Sequence, residues 1–147
     1  MNEGGDIMSE KVIIHQTRNY ETTYMALDPE ARAEEKPKPV SNISELTPYG
    51  MVLAGLGTCS GFVVNTYAEH HGLHVQEVEI SLEYQRSFKE DCANCEEIDK
   101  YEDVIHMFVG VKGNLIPQER EKLYKISLHC PVHKMLKSGI KVQSEPA

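Results

Sequence analysis

The stretch TPYGMVLAGLGTCSGFVVNTYAEHHG, Thr47 to Gly72, decides how this chain folds. Thr47 followed by Pro48 predicts a helix start, because threonine caps free N–H groups and proline suits the first helical position. Gly72 predicts the end near His71, which leaves His70 and His71 beside the negative end of the helix dipole. Val52, Leu56, Cys59, Val63 and Thr66 recur at helical spacing, so Cys59 is expected on the buried stripe. Gly57 and Gly61, four residues apart, predict a close seam with another helix. The segment is long and uncharged up to Ala68, yet its glycines, threonines and Asn65 make it too polar for a lone lipid-facing span.

Outward from this helix the pattern changes period. Val78, Ile80, Leu82 and Tyr84 alternate with Glu77, Glu79, Ser81, Glu83 and Gln85, which predicts a half-buried antiparallel strand with one wet face. Ile105, Met107, Val109 and Val111 predict its partner, joined by a polar loop from about Arg86 to Asp103. On the N-terminal side, Val12–Gln16 and Glu21–Leu27 predict two strands that turn near Arg18 and Asn19. The segment from Asp28 to Pro39, with three prolines and seven charges, reads as an exposed loop. Pro117 opens a second helix carrying Leu123, Ile126 and Cys130 on one side, Pro131 starts a further helical turn, and Ile140–Gln143 predicts a last strand. Strands, a buried helix, a hairpin and then helices define an α+β class in one domain over residues 11–147, with residues 1–10 as a loose tail.

A formal charge of −8 over 147 residues, with no lysine or arginine run, excludes a phosphate-binding surface and disfavours anionic lipid. No nucleic-acid or membrane partner is therefore expected. The first ten residues lack an apolar signal core, so the expectation is a cytoplasmic protein whose cysteines stay reduced.

Four cysteines remain to be placed. Cys59, mid-helix, reads on its own first as a small buried hydrophobe and second as a thiol needing a nearby cation. Cys130 precedes Pro131 at a helix start, where free N–H groups can face its sulfur and lower its pKa, with His129 and His133 flanking it. Cys92 and Cys95 form C-x-x-C in a charged loop. They are a candidate redox pair or half of a zinc site, or cysteines with no role. His70, His71 and His74 straddle Gly72, and a helix-end charge role suits them better than a metal cluster.

Taken together, Thr47-Pro48-Tyr49, Leu53–Cys59, Tyr67-Ala68-Glu69, Val75–Leu82, Gly113-Asn114-Leu115, Cys130-Pro131-Val132-His133 and Ser138-Gly139 resemble the OsmC/Ohr family of thiol-dependent hydroperoxide reductases and its OsmC-like branch. The resemblance spans about residues 45–144. It implies an intertwined homodimer in which antiparallel sheets wrap around central helices. It also implies a peroxidatic Cys59, a resolving Cys130, organic hydroperoxide substrates, a dithiol reductant and no required cofactor. The position ten residues before Cys59, where the best-studied members carry a glutamate that orients an activating arginine, holds Tyr49 here. Arg18 is the candidate for that arginine. The alternative is a non-catalytic dimer that binds a ligand or senses redox state, with zinc held at Cys92 and Cys95.

Overall fold

In the computed structural model, residues 8–28, 30–32, 34–88 and 101–147 are described. Five strands form one antiparallel sheet: β1 (Met8–Thr17), β2 (Thr22–Leu27), β3 (Lys38–Val40), β4 (His74–Phe88) and β5 (Tyr101–Asn114). Their order is β3-β2-β1-β4-β5. The long helix α1 (Pro48–His70) lies across one face, and α2 (Pro117–Ser127) and α3 (Pro131–Ser138) pack back against it. The chain is thus an α+β unit with a single sheet.

Alternation dictates the register. Val12 faces Leu82, Ile14 faces Ile80 and Gln16 faces Val78 across β1 and β4. Leu82 then meets Met107, Ile80 meets Val109 and Val78 meets Val111 across β4 and β5. These side chains and Leu53, Leu56, Val64 and Ala68 of α1 make the core. The opposite, wet face carries the charges the alternation assigned to it, including a His15 Nδ1 to Glu77 Oε1 contact of 2.7 Å.

Several boundaries differ from the sequence reading. β1 starts at Met8, inside the stretch read as tail, because Ser9 and Glu10 continue the pairing with β4. Residues 38–40 of the expected loop form β3, where Pro39 is tolerated on an edge strand. The hairpin strands extend to Phe88 and from Tyr101, which shortens the expected loop from both ends. Ile140–Gln143 forms no strand, and Ile140 and Val142 are 66% and 78% exposed.

The buried stripe of α1 is also rotated from the one expected. Leu53, Gly57, Ser60, Val64 and Ala68 face the core, whereas Val52 is exposed and Cys59 sits half-buried at the rim. Gly57 and Gly61 make a close seam, but with the sheet rather than with a helix. A Cβ on Gly57 would lie 2.8 Å from Leu82 and 3.1 Å from Ile14, and one on Gly61 would lie 3.0 Å from Gln16. Leu82 and Ile14 are fully enclosed and have little room to give way. Gly57→Val is therefore expected to lose about 3 kcal/mol of stability in urea unfolding, from overpacking. Among the described residues α1 alone is long and apolar enough to cross a membrane, and 44% of its apolar window is buried inside the fold.

Candidate functional site

The elbow between α2 and α3 brings the two described cysteines together. The amides of Leu128 and His129 bond back to Lys125 O (3.2 Å) and Ile126 O (2.9 Å), which ends α2. Pro131 then occupies the first turn of α3, and Cys130 becomes its extended cap at φ −61° and ψ 132°. Because α2 and α3 both pack on α1, this elbow is pressed against the Cys59 turn. Cys130 is fully enclosed, and both thiols are free.

The sulfur of Cys130 takes no cap hydrogen bond, contrary to the expectation that α3's free N–H groups would face it. The N–H of Val132 and the Cys130 thiol instead both lie beside Cys59, close enough to shift its ionisation. Burial pushes the Cys59 thiol up, the Cys130 contact adds to this, and the Val132 N–H offsets only part of it. Cys59 opens onto a groove of about 640 Å3 lined mainly by apolar side chains, among them Tyr24, Val40, Leu46, Met51 and Phe62. The Tyr24 hydroxyl bonds Thr58 Oγ1 at 2.8 Å and fixes one wall. Among the described residues, no lysine or arginine lines this groove.

Arg18 is not brought to Cys59 within the chain. It lies at the end of β1, its N–H on Gln76 O at 3.2 Å, and lines a cleft at the C-terminal end of α1 with Ala68 and Glu69. A helix rise of about 1.5 Å per residue puts that end roughly 14 Å from Cys59. Tyr49, at the opposite end of α1, stacks on Tyr84 at 4.7 Å and 14°. Cys92 and Cys95 lie outside the described residues, and among those described no group of three acids, histidines or cysteines is arranged to hold a metal. His71 stacks on Tyr67 at 3.9 Å and takes up the Tyr67 carbonyl at 2.9 Å, a helix-end role. His133 opens on a separate cleft beside Leu56 and Tyr84.

The residues that the sequence reading missed surround Tyr49. The Arg86 guanidinium stands 5.4 Å above the Tyr49 ring, an arginine held by the ring face rather than by a carboxylate at that position. Arg86 Nε donates to Asp103 Oδ1 at 2.7 Å, and the Tyr84 hydroxyl donates to the same oxygen at 2.7 Å. The signal was available, since Arg86 and Asp103 are direct cross-strand partners once β4 and β5 are in register. The Arg86 bond holds the Asp103 carboxyl below its usual range, while burial and then the Asp103 bond push the Tyr84 phenol up to about 12. A carboxyl depressed in the folded state stabilises above its unfolded value, and that contribution is lost as pH falls through the carboxylate range. Asp103→Asn should cost about 1 kcal/mol at neutral pH, discounted because the pair is part-exposed, and progressively less in acid, as pH falls below the free-carboxylate value of about 3.9. Urea midpoints at neutral and acid pH check this.

Fold and paired thiols define a class: small α+β proteins that hold two cysteines between a central helix and a following helical elbow. The family model described as OsmC-like protein matches residues 41–145, and the chain belongs to that family. A crystal structure of an OsmC-like hydroperoxide resistance protein from Jannaschia sp. CCS1 superimposes with a TM-score of 0.63 at 10% identity, covering 92% of this chain and 91% of that one. An OsmC-like protein from Mycoplasma pneumoniae gives a TM-score of 0.49 at 17% identity over 93% and 89% of the two chains. No curated protein matches the sequence.

Proposed function

We propose that this chain is a thiol-dependent peroxidase that reduces organic hydroperoxides through a Cys59/Cys130 dithiol–disulfide cycle. The observation that carries the reading is the contact between the two sulfurs beside an apolar groove. The hydroperoxide resistance named for the Jannaschia relative points the same way. The Cys59 thiolate attacks the terminal oxygen of ROOH, the O–O bond breaks, and the leaving alkoxide takes a proton to give ROH. The sulfenic acid on Cys59 then condenses with the Cys130 thiol, forming the disulfide and releasing water. A dithiol supplies two electrons and two protons to restore both thiols.

The assembly in this reading is a homodimer. Met51, Val52 and Phe62 stand 37–44% exposed on the outward side of α1, an apolar stripe that a second copy would cover. The test of the function is consumption of an alkyl hydroperoxide with a dithiol reductant, with mass spectrometry of the product. A Cys59–Cys130 disulfide after one equivalent of peroxide supports the cycle. Folded, reduced protein that consumes no hydroperoxide would end it.

A further inference from the structure

Within the chain, the cleft at the far end of α1 is separate from the two thiols. It encloses about 610 Å3 between the β1–β2 turn, the last turns of α1 and the start of β4, and its lining is mostly polar. Arg18 lines it, and its guanidinium has no hydrogen-bond or ion-pair partner among the described residues. Glu69, on the same cleft, is tied to the Tyr20 hydroxyl at 2.9 Å rather than to Arg18.

Asn65 is the built acceptor. It is only 4% exposed and lines the cleft. Its amide nitrogen donates to Gln16 Oε1 at 2.8 Å and to Thr17 O at 3.2 Å, which leaves its carbonyl oxygen without a donor among the described residues. Tyr20 holds a φ of 66°, a backbone region that bulky side chains rarely adopt. That conformation places its ring 5.1 Å from Phe62 and its hydroxyl on Glu69, so the wall of the cleft is held in place at a conformational cost.

The charges are split across the space. A simple anion would meet Arg18 but also Glu69 and the carbonyl end of α1, and a simple cation would meet Arg18. We propose that this cleft binds a small zwitterion, a free amino acid or short peptide. Its carboxylate pairs with Arg18, and its ammonium group donates to the Asn65 carbonyl and Glu69.

The intact protein is titrated by calorimetry with L-alanine, L-glutamate, L-lysine and glycylglycine, and with acetate and methylammonium as half-ligands. At least one zwitterion is expected to bind about tenfold or more tighter than either half-ligand. Arg18→Gln should weaken that binding by about tenfold or more, the loss of a charge-assisted pair. It should leave the rate of Cys59 alkylation by iodoacetamide unchanged, a readout that does not depend on peroxidase activity. The proposal is overturned if no zwitterion exceeds the half-ligands or if Arg18→Gln binds as well as the parent. A slower Cys59 alkylation in Arg18→Gln would also overturn it, by assigning Arg18 to the thiol site.

Discussion

Cys59→Ser is expected to lower hydroperoxide consumption by at least about a thousandfold, because a hydroxyl is negligibly ionised where a thiol is in part. Cys130→Ser should behave differently. The first step needs only Cys59, so one equivalent of peroxide should still be consumed and a sulfenic acid should accumulate, trappable by a dione reagent. Sustained turnover with a dithiol should fall steeply, since no internal disulfide forms. The pH dependence follows from the electrostatics of the site. Burial raises the Cys59 thiol above its ordinary value, so the thiolate is a minor species at neutral pH. The rate should therefore climb by nearly tenfold per pH unit between about 6.5 and 8.5, below the thiol range. A rate flat across that window would show that another group, such as a cation brought by a second subunit, sets the ionisation.

The largest expected effect on stability comes from Thr47→Ala. The Thr47 side chain accepts the Gly50 N–H at 3.1 Å and caps α1. Its hydroxyl also reaches both carboxylate oxygens of Glu10 at 2.6 Å. Glu10 is 4% exposed on β1, so this one hydroxyl links the helix start to the sheet. Removing it loses the cap, worth about 1 kcal/mol, and strips a buried carboxylate of its donor, worth about 1–3 more. Thr47→Ser keeps both bonds and should recover most of the roughly 2–4 kcal/mol lost. Urea unfolding of the two variants separates the hydroxyl from the methyl. Equal losses in both would show that the methyl packing, not the bonding, matters.

Much of the fold was legible because strong local signals agree with the tertiary solution. Thr47-Pro48 and Gly72 bracket α1, and the alternation at Val78–Tyr84 sets the sheet register directly. The phase of α1 was not legible, because its face against the sheet interrupts Leu53 and Val64 with Gly57, Ser60 and Gly61, which carry no apolar signal. Those small residues admit Leu82 and Ile14, so the intimate contact is made by the partners' side chains. β3 was hidden by Pro39 within it and Pro37 just before it, and the tie of Glu10 to Thr47 spans 37 residues and so leaves no trace in local spacing. At the site, the Cys130-Pro131 elbow marked the right turn of chain, but which sulfur the Val132 N–H faces depends on how α3 sits on α1. The place of Arg86 followed from hairpin register, which single-residue candidates do not capture.

The full enclosure of Cys130 has a chemical consequence. Bulky electrophiles arriving from solvent meet one sulfur of the pair and are shut out from the other by the helical elbow. Excess oxidant would accordingly drive Cys59 toward sulfinic acid while its neighbour survives unmodified. Between these two sulfurs the injury would be confined to a single atom, readable as one thirty-two-dalton increment on the Cys59 peptide.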